Sequence, residues 1–238
     1  VRMLPISYVF SRFPRAVRDL ADKLGKKVEL LMEGDETELD KGLIEKVTDP
    51  LTHLVRNSVD HGIEVPAARE TAGKPPVGVV RVRALHEGGN VVIEISDDGA
   101  GFARERLLGK ARKQGVAISD AASDDEVWQL AFLPGLSTAE HVTEVSGRGV
   151  GMDVVKRNVE QLGGRLSLRS AAGQGTTITI HLPLTLAIVD GMLINVGGHT
   201  YVIPLTHILE NLQPLADAVR TVAGQGRVVR VRDQFIPL

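Results

Sequence analysis

A chain of 238 residues with 43% hydrophobic and 24% charged side chains has the profile of a globular protein with room for one large domain or one and a half ordinary ones. Its formal charge of −2 gives no broad electrostatic hold on nucleic acid or an anionic membrane surface. The absence of cysteine excludes disulfides, thiolate chemistry and Cys-based zinc sites and suits a cytoplasmic protein. No apolar run reaches the roughly 20 residues that span a bilayer, so direct membrane insertion is not expected, and the N-terminus lacks the layout of a signal peptide.

In chain order, Ile6, Phe10, Phe13, Val17, Leu20 and Leu24 alternate steps of four and three, the seam of a helix packed on another helix. Pro14 interrupts it and predicts a kink or two helices in tandem. Gly25 stops the pattern, and Val28 to Met32 reads as a strand. A second helix is predicted over 39–61, burying Leu43, Val47, Leu51, Leu54 and Val55, with Pro50 as its one defect. After the Gly73-Lys74-Pro75-Pro76 loop, strands at 79–85 and 91–97 flank Glu87-Gly88-Gly89-Asn90, a hairpin signature. Helices are predicted over 103–114 and 124–131, and Phe132 to Gly149, polar and aperiodic, reads as a mobile loop. A helix over 150–163 stops at Gly163-Gly164, and strands at 165–170 and 175–182 close the mixed α+β unit. After Pro183 the texture is all β, with a hairpin over 189–204 and a strand at 228–231; the boundary falls near 184. The chain starts at Val1-Arg2 and ends at Ile236-Pro237-Leu238 within a strand-like pattern, so both ends read as cuts through a longer protein.

Three stretches carry chemistry. His53, Asn57 and His61 stand four residues apart on the second helix and share one face, opposite its apolar side. Such a stripe is either a solvated polar face or a ligand-facing one. In the second case the Asn57 carbonyl suits Mg²⁺, which takes hard oxygen ligands and shares them with phosphates. The imidazoles can donate to phosphate oxygens, and a neutral one can accept a proton.

Asp97 closes a strand and is followed by Asp98-Gly99-Ala100-Gly101. It is either an ordinary Asp-Gly turn or an acceptor for the exocyclic amine of adenine, which would repel the keto oxygen of guanine. Gly147-Arg148-Gly149-Val150-Gly151 opens a helix whose free N–H groups can bind phosphate. Thr176-Thr177, after Gly175, would bring a hydroxyl near the same ligand or simply favour a strand. Together the three stretches point to ATP.

Asn57 to Gly62, Asp97 to Gly101, Phe132 to Thr138, Gly147 to Gly151 and Gly175-Thr176-Thr177 resemble the N, G1, F, G2 and G3 boxes of the GHKL ATPase/kinase superfamily. Within it, His53 to Asn57 with Asp60 to Glu64, and Ser146 to Val155, are similar to the CheA-type chemotaxis histidine kinases. The resemblance implies that residues 1–24 end a helical dimerisation hairpin and that 25–184 form a GHKL (Bergerat) α/β sandwich that binds ATP. It implies further that 185–238 open a CheW-like, SH3-like all-β regulatory module that is incomplete.

It also implies that Asn57 holds Mg²⁺ and that His53 and Arg106 serve catalysis. Nucleotide binding would fall to Asn57, Asp60, His61, Asp97, Gly99, Gly101, Ser137, Gly147, Arg148, Gly149, Val150, Gly151, Met152 and Thr177, with 132–149 as an ATP lid. None of the seven histidines sits in an acceptor bundle, so the γ-phosphoryl would pass to a histidine on a separate phosphotransfer domain. The implied partners are that domain, an adaptor and a chemoreceptor through the β module, a downstream response regulator, and a second copy in the full-length homodimer. An ATPase clamp of the same superfamily, or a scaffold with a degenerate kinase unit, are the competing readings. The clamp would need a Glu four residues before the Asn, where this chain has His53.

Overall fold

The computed structural model describes residues 2–119, 122–134, 136, 151–184, 191–205, 208–213, 219–222, 226–231 and 234–237. The chain divides into two units, Val1–Ala187 and Ile188–Leu238.

The first unit opens with a short strand β1 (Met3–Pro5), a single-turn helix α1 (Ser7–Phe10) and α2 (Phe13–Leu24). Pro14 lies in the first turn of α2, where a missing N–H costs no helical bond, so the helix breaks before it and two helices stand in tandem. Gly25 ends α2 in the left-handed conformation at φ 64°. Residues 1–24, which the resemblance would place at the end of a dimerisation hairpin, lie within unit 1. There β1 pairs with β3 (Glu38–Asp40), and α2 packs on α3 (Lys41–Asn57) and β2 (Val28–Glu33). The seam residues Ile6, Phe10, Phe13, Val17 and Leu20 are buried in the chain's own core.

The second helix starts later than its periodicity suggests. Leu39 and Asp40 belong to β3, and the Asp40 carboxylate caps α3 by accepting from the Gly42 N–H at 2.8 Å. The helix runs through a buried Pro50 to Asn57. It then widens into one π turn, Ser58–Gly62, closed by the Ile63 N–H donating to the Ser58 carbonyl at 2.8 Å. A six-residue helix α4 (Pro66–Thr71) follows, too short to show a period in sequence.

Strands β4 (Gly78–Glu87) and β5 (Asn90–Asp97) form the expected hairpin, with Gly88 and Gly89 both at positive φ. Next come α5 (Arg104–Lys113), α6 (Asp124–Gln129) with its Ser123/Glu126 capping box, and a 3₁₀ turn over Leu130–Phe132. After α7 (Met152–Gln161), β6 (Arg165–Ala171) and β7 (Gly175–Pro183) complete a five-stranded sheet in the order β2-β4-β5-β7-β6. Among the described strands, only β2 and β4 are parallel neighbours.

Strand register sets the core. Val82, Ile95, Ile178 and Leu168 face one another across four strands, and Ala84, Ile93, Ile180 and Leu166 form the next row. All eight are buried beneath the helical layer, in one cluster with Val47, Leu51 and Leu54 of α3 and Val155 and Val159 of α7. In unit 2, β8 (Gly191–Val196) and β9 (His199–Pro204) form a hairpin, and β10 (Val219–Val222), β11 (Gly226–Val231) and β12 (Gln234–Pro237) form a separate antiparallel sheet; its described elements are all strands.

Candidate nucleotide-binding site

The row that follows Ala84–Ile93 and Val82–Ile95 along the same sheet face is Val80–Asp97–Thr176–Ser170. Three of its four residues are polar, whereas the next two rows of that face are apolar throughout. Polar side chains on the inner face at one end of a sheet form a polar wall whose groups need hydrogen-bond partners. Ser170 Oγ accepts from the Phe102 N–H at 2.8 Å, donates to the Gly175 carbonyl at 2.9 Å and lies 3.0 Å from Thr176 Oγ1. The wall is rigidly tied.

Asp97 is the centre of this wall. Burial raises its carboxyl from an ordinary 3.8 to about 6, against the opposing hydrogen bonds from the Gly99 N–H, the Ser58 hydroxyl and the Thr176 N–H. A carboxyl perturbed in this way by burial is a candidate functional group. The backbone crowds around it: a Cβ on Gly99 would overlap the Gly62 carbonyl, and one on Gly175 would overlap the carbonyl of Asp97 itself. The Ala100 N–H donates to the Gly62 carbonyl at 2.9 Å. The end of the Asn57 segment is thus joined to the start of the Asp97 loop.

Asn57 closes α3, and its amide Nδ2 lies 3.6 Å from Met152 Sδ on the first residue of α7. Helix α7 begins at Gly151 without a side-chain cap, so its first-turn N–H groups and positive dipole end stand beside Asn57. His53 is half-buried one turn earlier. Burial, then the charges of Arg56 and His61, push its pKa below the ordinary 6.5 and keep the ring neutral at neutral pH, with one nitrogen to donate and one to accept. His61 is more exposed, with Nε2 3.7 Å from Asp60 Oδ2. The π turn carrying both is held from below by Lys26, whose Nζ donates to the Val59 carbonyl at 2.9 Å and the Asp60 carbonyl at 2.6 Å.

Of the residues expected at a site, His53 and Asn57 share α3 and Asp60 and His61 the π turn after it, Asn57 touches Met152 at the start of α7, Gly62 at the end of that turn lies against Asp97 and Gly99, and Gly101 packs against Ala171 and Gly175. Ser137, Gly147, Arg148, Gly149 and Val150, with most of the expected lid, lie outside the described residues. Thr177 pairs with Ser96 on the opposite sheet face, and Thr176 is the residue beside Asp97, because side chains alternate along a strand. Arg106 sits exposed on α5, flanking the buried Leu107 and Leu108. Lys26, Ser58 and Ser170 were not anticipated. Only Ser58, adjoining the Asn motif, carried a usable signal.

This constellation is an acid at a sheet end, an amide at a helix end and a helix start without a side-chain cap. The chain matches the family of histidine kinase-, DNA gyrase B- and HSP90-like ATPases over residues 46–186, and belongs to it. Over its whole length it is 58% identical to the chemotaxis protein CheA of Salmonella typhimurium and 49% identical to that of Rhizobium meliloti, spanning 36% and 32% of those proteins. It therefore covers about a third of the curated relatives it matches. Among solved structures, the Acinetobacter baumannii histidine kinase AdeS aligns at 16% identity and a TM-score of 0.47, over 77% of this chain and 67% of that one. No helix among the described residues is long and apolar enough to cross a membrane.

Proposed function

We propose that the chain is the ATP-binding catalytic core of a CheA-type histidine kinase, passing the γ-phosphoryl of ATP to a histidine on a separate phosphotransfer domain. The observation that carries this reading is the half-buried Asp97 carboxylate, seated in the Val80–Asp97–Thr176–Ser170 row and backed by Gly62 of the Asn57 segment. Asp97 accepts from the adenine amine and rejects the keto oxygen of guanine. Thr176, beside it on the same face, lends a hydroxyl to the same edge of the base. The first-turn N–H groups of α7 and the donor nitrogen of His53 hold phosphate oxygens.

The Asn57 amide oxygen is a hard donor at the phosphate end and fits Mg²⁺, which takes its remaining ligands from phosphate and water. When bound, that ion neutralises charge on the transferred group. Positioning by these side chains, more than covalent chemistry by the protein, then sets the rate. The neutral His53 ring can also take a proton near the γ-phosphate.

By the same reading the partners are a phosphotransfer domain, a response regulator downstream, and an adaptor and chemoreceptor at the β module. Incubating the chain with labelled ATP, magnesium and a CheA-type acceptor domain tests it. Label should appear on the acceptor histidine. ATP turnover indifferent to the acceptor would contradict it and favour a clamp.

A further inference from the structure

Behind Asp97 lies a charged cluster that no step above uses. Arg69 is completely buried, on the short helix α4. Its Nε donates to the Pro75 carbonyl at 2.8 Å. Nη1 donates to Glu64 Oε2 at 3.0 Å and the Asp98 carbonyl at 3.2 Å, and Nη2 to Asp98 Oδ2 at 2.8 Å and the Val77 carbonyl at 3.5 Å. Lys74 repeats the pattern at 2.8 Å to Glu64 Oε1, 3.0 Å to the Asp98 carbonyl and 2.7 Å to the Gly99 carbonyl. The second Asp98 oxygen accepts from the Val79 N–H at 2.8 Å.

We infer that Arg69, assisted by Lys74, is a positioning residue for purine recognition, fixing the Asp98–Gly99 backbone so that Asp97 faces the base. The inference rests on the nucleotide reading of the site. A buried guanidinium is costly unless each arm is paired, and here the arms reach three segments: the exit of the Asn57 turn, the loop before β4 and the loop after Asp97. A helix of six residues has little stability of its own, so this fork is what places α4. The loop it holds supplies the Gly99 N–H that bonds Asp97 Oδ1 at 3.0 Å.

There is also an electrostatic link. The Asp98 charge pushes the Asp97 carboxyl upward, and Arg69 lies against Asp98 to offset it.

The test compares the chain with its Arg69→Met variant in three measurements: melting temperature, the ratio of ATP to GTP affinity by calorimetry, and the Asp97 titration midpoint by carboxyl carbon NMR. A folded variant should lose at least about tenfold of the ATP/GTP ratio, and its Asp97 midpoint should rise. A bystander that merely stabilised the fold would lower the melting temperature and leave both other readings in place. A folded variant with unchanged ratio and midpoint overturns the inference. If Arg69→Met does not fold, Lys74→Met is read against the same two outcomes, with a smaller shift expected. If the unaltered chain binds no ATP, the functional reading fails by itself. The Asp97 midpoint in the variants then decides the positioning role alone.

Discussion

Gly62 lies directly against the Asp97 carboxylate: a Cβ on residue 62 would sit 2.9 Å from Cγ and from each carboxylate oxygen. The π turn that follows Asn57 is therefore the floor on which the Asp97 carboxylate rests. Gly62→Ala should displace that side chain and weaken ATP binding by about tenfold or more, with the melting temperature little changed. Gly99→Ala is the contrast, since its Cβ meets the Gly62 backbone, which cannot yield. It should destabilise the fold by roughly 1–3 kcal/mol. Calorimetric titration and thermal melts of both variants separate the two effects.

Asp97 should trade stability for function. The unfolded carboxyl releases its proton near 3.8 and the folded one near 6, so the folded chain binds more protons between those values. The stability this confers is complete below 3.8 and is lost as pH rises through 6, leaving a penalty on the order of 3 kcal/mol at neutral pH. Asp97→Asn should therefore be more stable than the parent at pH 8, with the gap closing towards pH 4, while binding ATP less well. Urea unfolding across that range checks it; a gap that does not vary with pH would be the contrary result.

His53 carries the opposite sign. Its folded pKa is depressed, so the stability it contributes is present above the ordinary 6.5 and is lost as pH falls through the folded value. Its NMR titration midpoint should lie below 6.5 in the free chain and move up when ATP brings negative charge beside the ring. A midpoint at or above 6.5 without nucleotide contradicts the placement.

Asn57→Ala removes the amide oxygen proposed to meet the metal and leaves the Asp97 side chain in place. Binding of ATP should persist in the absence of divalent ion, whereas its enhancement by magnesium should fall towards none. Titrations with magnesium and with a chelator measure the ratio. An unchanged ratio would remove Asn57 from the metal's surroundings.

The sheet, the hairpin and the helices bearing the motifs were legible because their periods are clean and their ends punctuated, as at Gly25, Gly88-Gly89 and Gly163-Gly164. Elements governed by distant partners were not. The three-residue strands β1 and β3 exist only because they pair with each other, and α4 only because Arg69 is held by four other residues. The π turn leaves no trace in the spacing of Asn57 and His61, since a run of residues four apart reads as an α-helix either way. The choice between Thr176 and Thr177 depends on strand parity relative to Asp97, which only the β5–β7 register supplies. Arg69 gave no warning because its burial comes from loops that wrap it, not from its neighbours in sequence.

If Asp97 and Asn57 serve one ligand, calorimetry with ATP and GTP, each with and without magnesium, shows it most directly on the parent chain, Asp97→Ala and Asn57→Ala. The parent should bind magnesium-ATP well ahead of magnesium-GTP. Asp97→Ala should erase that preference, and Asn57→Ala should erase the magnesium dependence alone. A parent chain indifferent to the base, or an Asp97→Ala variant with unaltered ATP affinity, would contradict it.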